Sequence, residues 1–188
     1  TQYVYDPVNR ITSQIDAFSN SQNYSYDNVG NLLTRQDPLG FTTLYNYDGV
    51  NRLTGIVDPM GHSTIRSYDP IGNLTAEIDR DGNSTGYAYD GVNRIIHKTD
   101  AMSNVTDFTY DENGNLVQYE DARNKTRNYQ YDVLDRLIRV QTPMGFQTKW
   151  QYDPMGNVVK RIRPTLDTTK YTYNKNQRLI KTTYPGGR

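Results

Sequence analysis

The polar and apolar positions of this chain fall into a strict repeat. Tyr5, Tyr26, Tyr47, Tyr68, Tyr89, Tyr110, Tyr131, Tyr152 and Tyr173 stand 21 residues apart, with no insertion or deletion between them. Two residues before them come Tyr3, Tyr24, Tyr45, Arg66, Tyr87, Phe108, Tyr129, Trp150 and Tyr171. Six residues after them comes an aliphatic every time: Ile11, Leu32, Leu53, Leu74, Ile95, Leu116, Leu137, Val158 and Leu179. Aromatic–x–Tyr spacing has period two, which is the mark of a strand with one distinct face and not of a helix. Two turn signals in each repeat leave runs of about six or seven residues, an ordinary strand length. The pattern therefore predicts nine double hairpins, about 18 antiparallel strands in a meander.

The first turn begins at the residue after each Tyr. This is Asp6, Asp27, Asp48, Asp69, Asp90, Asp111, Asp132 and Asp153, with Asn174 in the ninth repeat. Three residues further on stand Asn9, Gly30, Asn51, Gly72, Asn93, Gly114, Asp135, Gly156 and Gln177. Eight of these nine tolerate positive φ, which fits a type I turn closed by a left-handed residue. The Asp carboxylate can accept from backbone N–H groups two residues on, so its place needs no catalytic explanation. The second turn begins at Asp16, Asp37, Asp58, Asp79, Asp100 or Asp121 and then drifts to Thr142, Arg163 and Tyr184. Three residues later come Ser19, Gly40, Gly61, Gly82, Ser103, Asn124, Gly145, Leu166 and Gly187, and Leu166 predicts a different loop there.

Parity adds a constraint. A three-residue first loop pairs Tyr68 with Leu74 across strands. But 21 is odd and side chains alternate faces, so one irregularity per repeat is needed to return the next Tyr to the same face. The expectation is that the second corner carries it. A flat sheet of 18 strands at about 4.8 Å spacing would be about 85 Å wide, and sheets that wide curl, split or close. With few aliphatics, a curling meander around a space fits better than a sandwich.

Composition narrows the function. The 188 residues are 35% hydrophobic, with 17 Tyr, four Phe and one Trp, so much of the apolar surface carries a hydroxyl. Lys and Arg balance Asp and Glu at 21 each, which gives no basic patch to argue for nucleic acid. No apolar run is long enough to span a membrane as a helix. Zero Cys excludes disulfides and zinc–thiolate sites. The chain begins and ends inside the repeat, so it reads as a fragment, and a targeting segment could lie outside it.

These columns resemble the YD repeats of the Rhs family. The stretches YDPIGNL at 68–74 and DPMG at 58–61 carry the resemblance, which covers essentially the whole chain in nine in-phase copies. The family includes bacterial Rhs and wall-associated polymorphic toxins, the C subunits of insecticidal Tc toxins, and teneurins. The resemblance implies a single YD-repeat array over 1–188, part of a sheet that spirals into a hollow shell. In toxin members that shell encloses a variable C-terminal toxin domain; teneurins use theirs in adhesion. The implied partners are the rest of the shell and an enclosed C-terminal domain, and the implied location is secreted or at a bacterial cell surface. The aspartates credited with self-cleavage in the family, and a non-repetitive toxin domain, are not seen in these residues. The resemblance thus implies a structural scaffold with no catalytic residue, no cofactor and no metal.

Several residues invite a chemical reading. Asp79, Asp81 and Asn83 alternate beside Gly82 as in a calcium loop, with Asp90 at the twelfth position. In the repeat frame, however, Asp79 and Gly82 belong to the second turn, and only Asp81 is extra. His62 and His97 occupy different repeat positions without a paired acid or nucleophile pattern. The N-x-S/T triplets at Asn73, Asn83, Asn104 and Asn124 arise from turn and strand preferences. The residue after the left-handed position alternates as Arg10, Asn31, Arg52, Asn73, Arg94, Asn115, Arg136, Asn157 and Arg178, so the true period is 42 residues. Arg pairing with a nearby turn Asp is the favoured reading, and a charged rim the other. The Tyr columns suit packing of one face, with sugar stacking as the alternative, so an adhesion or carbohydrate-binding module that engages cell-surface glycans or proteins stays open. Open sheet edges add edge-to-edge self-association as a further alternative.

Overall fold

The computed structural model describes residues 1–186. Every regular element among them is a strand. They divide into two compact units, one of Thr1–Arg94 with Lys98–Ser103, the other of Ile95–His97 with the residues from Asn104 onward.

The first unit carries β1 (Gln2–Tyr5), β2 (Ile11–Ile15), β3 (Ser21–Tyr26), β4 (Leu32–Gln36), β5 (Thr42–Tyr47), β6 (Leu53–Val57), β7 (Ser63–Tyr68), β8 (Leu74–Ile78) and β9 (Ser84–Tyr89). The strand β10 (Ile95–Thr99) is divided between the units. The second carries β11 (Val105–Tyr110), β12 (Leu116–Glu120), β13 (Thr126–Tyr131), β14 (Leu137–Gln141), β15 (Gln147–Tyr152), β16 (Val158–Ile162), β17 (Thr168–Tyr173) and β18 (Leu179–Thr183). Each strand pairs antiparallel with its successor from β1 to β9 and again from β11 to β18. The hairpin meander expected from the repeat is what the chain forms.

The Tyr–aliphatic register is the expected one: Tyr5 faces Ile11, Tyr68 faces Leu74 and Tyr131 faces Leu137. The irregularity lies elsewhere than expected. In the first hairpins that lie within one unit the register slips directly after that pair: Val4 faces Ser13, which leaves Thr12 as an extra residue. The slip recurs between Ser67 and Tyr68 and between Gln151 and Tyr152. The second hairpin runs without a slip, as in Ser13–Asn23, Gln14–Gln22 and Ile15–Ser21. Parity demands one extra residue per repeat, and it is met by a bulge on the even strands and not at the second corner.

Both corners are one and the same turn. In the first, the Asp6 N–H donates to the Arg10 carbonyl at 2.9 Å and the Asn9 N–H to the Asp6 carbonyl at 3.0 Å. In the second, Asp16 donates to Asn20 at 3.0 Å and Ser19 to Asp16 at 3.3 Å. Positive φ falls on the fourth residue of each, 64° at Asn9 and 65° at Ser19. Leu166 does not change the loop. Its N–H donates to the Arg163 carbonyl at 2.9 Å and its φ is 66°, so the corner forces a leucine into the left-handed region. In the last corner positive φ lies on Gly186, and the expected Gly187 lies outside the described residues.

Leu166 is 81% exposed, so its side chain gives up almost no packing when removed. Leu166→Gly should therefore raise stability by about 1 kcal/mol, the scale of the left-handed penalty for a side chain with Cβ. A urea midpoint shifted upward at constant slope is the expected result, and an unchanged or lower midpoint contradicts it.

Among the described residues no hydrophobic side chain is fully buried. Protection is instead one-sided. From β3 to β17, each odd strand half-buries its two aromatic-column positions and exposes the residue between them. Neither unit has a core of the usual kind, so cross-strand pairs and corner hydrogen bonds hold the sheet, each worth only about 0.2–1 kcal/mol.

Candidate functional site

The chemistry-bearing residues gather at the first corners. A type I turn points the N–H groups of the second and fourth following residues at the Asp side chain. Oδ1 of Asp69 accepts from the N–H of Ile71 at 3.1 Å and of Asn73 at 2.8 Å. Oδ2 of Asp69 accepts from the Asn73 side-chain amide at 2.9 Å. The same cradle recurs at Asp6, Asp27, Asp48, Asp90, Asp111, Asp132 and Asp153, and Asn174 keeps the two backbone bonds. Asp16, Asp37, Asp58, Asp79 and Asp121 build it again at the second corners.

These bonds favour the ionised carboxylate. At Asp6, Asp48 and Asp90 the backbone N–H of the following Arg is the largest influence and holds the carboxyl below its usual range. At Asp27, Asp69 and Asp111 partial desolvation pulls upward most strongly, but the Asn side chain and backbone donors together outweigh it. A carboxylate whose folded value is depressed stabilises the fold above its unfolded pKa, about 3.9, and that contribution is lost as pH falls through the lower folded value. Melting temperature should therefore stay level from neutral pH to about pH 5 and drop below about pH 4. Thermal scans by circular dichroism check this, and a profile that stays level through acid would remove the cradles from the account.

The alternation of Arg and Asn links one corner to the next. Arg10 donates from Nε to Asp6 Oδ2, and from Nη1 to the Asp27 carbonyl of the following repeat at 2.8 Å. Its guanidinium lies 4.9 Å from the Tyr26 ring centre. Arg52 does the same to Asp48, Asp69 and Tyr68, and Arg136 to Asp132, Asp153 and Tyr152. Asn corners work differently. Nδ2 of Asn31 donates to Asp27 and also to the left-handed Asn51 of the next repeat at 2.8 Å. Asn73 reaches Asn93, and Asn115 reaches Asp135. The left-handed column alternates to match: Gly follows each Arg corner, and Asn51, Asn93 or Asp135 follows the first three Asn corners, with Gln177 after Asn157. The favoured local pairing of Arg with its own turn Asp is found, and its bond to the following repeat is additional.

The Tyr column closes the row. The hydroxyls of Tyr26, Tyr68, Tyr89, Tyr110, Tyr131, Tyr152 and Tyr173 donate to the carbonyls of Ile11, Leu53, Leu74, Ile95, Leu116, Leu137 and Val158, at 2.8–3.1 Å. Tyr47 reaches Leu32 in the same way. Apart from Ile95, each accepting carbonyl belongs to the residue just before the bulge. The hydroxyls of this column are thus engaged by backbone and are not free for a sugar. Tyr5, in the exposed first strand, is 54% accessible and its ring centre lies 6.5 Å from that of Tyr3. The hydroxyl–carbonyl bond was not legible beforehand, because it depends on where the bulge falls.

The other candidates stay apart. Asp79 accepts from the N–H of Asp81 and Asn83, so its carboxylate is occupied by the turn. Asp81 is 75% exposed with Arg80 at 3.9 Å. Among the described residues no three His, Asp or Glu side chains are placed to share a metal ion. Contrary to the sequence reading, each histidine has an acid partner, because the strands and turns bring together residues the repeat frame does not align: His62 Nδ1 lies 3.1 Å from Asp58 Oδ2, and His97 pairs with Asp107.

Comparison with known proteins follows the same columns. The RHS Repeat family model matches residues 5–43, 26–63 and 47–84, in steps of one repeat. The Teneurin YD-shell family model matches residues 75–187. No curated protein sequence matches. Among solved structures, the crystal structure of TcdB2–TccC3–Cdc42 is similar over 97% of this chain, at 15% identity and a TM-score of 0.57. TcdB2–TccC3 without its hypervariable C-terminal region is similar at 17% identity and 0.56, and a Photorhabdus luminescens Tc holotoxin pore with a mutated TccC3 at 15% and 0.55. This chain spans only 14%, 13% and 13% of those chains. Repeat columns, matched family models and hairpin meander agree, and the chain belongs to the Rhs and teneurin YD-shell repeat family.

Proposed function

We propose that these residues form a wall section of an Rhs-type β-shell whose role is to enclose a C-terminal toxin or effector domain. The observation that carries this reading is the forward linkage of corners in a sheet without buried apolar side chains. Such a sheet is built to be extended repeat by repeat and to be finished by further wall, not to bury a core of its own. Likeness to TccC3, which has a hypervariable C-terminal region, supports an enclosed and variable cargo. In this reading residues 1–188 are one array of nine units, a non-enzymatic scaffold of a secreted or surface-exposed bacterial protein. Its turn-initiating aspartates are engaged by backbone donors, which leaves them poor candidates for acid–base work.

Limited proteolysis of the full-length gene product tests the proposal. A non-repetitive C-terminal region should resist protease while the shell is folded and become sensitive when the shell is denatured. Cleavage of that region as fast as when it is expressed alone overturns enclosure.

A further inference from the structure

The balanced total charge conceals a division. Residues 136–186 hold ten Lys and Arg against two acids, a net charge of +8, whereas residues 1–135 hold ten against nineteen, a net charge of −9. Register shows where the excess lies. On the face opposite the Tyr columns, Arg139 on β14 stands directly across from Lys149 on β15, and Lys160 on β16 directly across from Lys170 on β17. Lys160 is also diagonal to Lys149, since Gln151 faces Lys160 while Lys149 faces Ile162. Lys181 on β18 faces Thr172 and is diagonal to Lys170 in the same way. Five cations thus form one row across five adjacent strands, a span of roughly 19 Å.

The repeat does not require this. The same paired positions hold Ser13 and Asn23, Thr34 and Leu44, or Gly55 and Ile65 in the first unit, and Gln118 and Asn128 in the second. Like charges placed directly opposite destabilise a sheet. Here two such pairs stand side by side, and none of the five cations is ion-paired among the described residues. Arg139 Nε is shut from solvent with no acceptor. A shallow hollow of about 330 Å³ opens beside it, with Gln130, Arg139, Lys149, Gln151 and Ile162 in its walls together with Ile138 and Trp150, the latter on the Tyr-column face by register.

We propose that this row binds an acidic polypeptide segment in extended form. Charge complementarity supplies the attraction, and an extended segment of about six residues covers the span. The remaining strand positions of this face on β14–β18 carry Gln and Thr, which offer hydrogen bonds to a peptide, and Ile162, which offers apolar contact only. They present no aromatic surface on which bases of single-stranded nucleic acid stack. The proposal goes beyond the shell reading and stands without it.

Fluorescence anisotropy with a labelled oligoglutamate tests it on the full chain. Binding should be measurable at low salt and weaken as salt rises. Replacing Lys149, Lys160 and Lys170 together by Gln should weaken it by about tenfold or more, while Arg163→Gln with Lys175→Gln at corners leaves it within about twofold. Because Gln relieves the like-charge pairs, the triple variant should melt no lower than the parent. If it does melt lower, Lys149→Gln alone serves for the same contrast. Absence of binding overturns the proposal, and so does equal loss in the corner variant. Tighter binding of a single-stranded DNA of equal charge overturns the choice of polypeptide.

Discussion

Tyr68→Ala should lower stability by about 2–3 kcal/mol, and Tyr68→Phe by about 1 kcal/mol. Three contacts meet on this one side chain. Its ring faces Leu74 across the hairpin, the Arg52 guanidinium lies 4.8 Å from its ring centre, and its hydroxyl donates to the Leu53 carbonyl at 2.9 Å. A cross-strand pair contributes about 0.2–1 kcal/mol and a partly exposed cation–π contact about 0.5–1 kcal/mol. The hydroxyl bond adds about 1 kcal/mol, and it alone is lost in Phe. The total stays below that for an aromatic removed from a true core, because Tyr68 is only half-buried. Equilibrium urea unfolding of both variants separates ring from hydroxyl. An Ala variant within about 0.5 kcal/mol of the parent would show that the corner row does not hold the sheet.

Gly72→Val should cost about 2–3 kcal/mol by a different route. The φ of Gly72 is +105°, well beyond the left-handed well near +57° that Asn9 and Asn51 approach. A β-branched residue has no comfortable conformation there. Arg52 Nη1 lies 4.0 Å from where a Cβ would stand, and that arm carries the bond to the Asp69 carbonyl. The variant should therefore lose backbone ease and disturb the Arg52 reach together. Its unfolding midpoint should fall further than that of Gly82→Val, at a second corner with φ of +85° and nothing near the added carbon. Equal losses would assign the whole cost to backbone conformation.

Most of the fold was legible because one rule is written nine times. The aromatic–x–Tyr spacing gave the odd strands, and Asp followed three residues later by Gly or Asn gave the corner. Tyr68 opposite Leu74 followed from loop length alone. The bulge was misplaced because parity fixes how many extra residues each repeat needs and says nothing about where they sit. Thr12, Leu33, Thr54 and Val159, which stand unpaired after the aliphatic, are ordinary strand formers and carry no compositional signal. Leu166 misled in the opposite sense: sequence alone suggested a new loop, yet neighbouring strands in fixed register impose the shared corner on it. In the site, Asp as a turn acceptor was readable from local chemistry. The reach of Arg10 to Asp27 was not, since it spans 17 residues and depends on how far the hairpin brings two corners together.

The alternating corners have a consequence for how such a gene can change length. An Arg corner is fitted to a following Gly, and the Asn31, Asn73 and Asn115 corners to a following Asn or Asp acceptor. Recombination that removes a single 21-residue unit would join Arg10 to the repeat of Asn51, crowding the guanidinium against an amide. Removal from an Asn corner would strand that amide beside a Gly with nothing to accept from it. Removal or duplication of 42 residues preserves every fit. Copy number in this lineage should therefore drift in twos, with the paired repeat, not the single one, as the unit of inheritance.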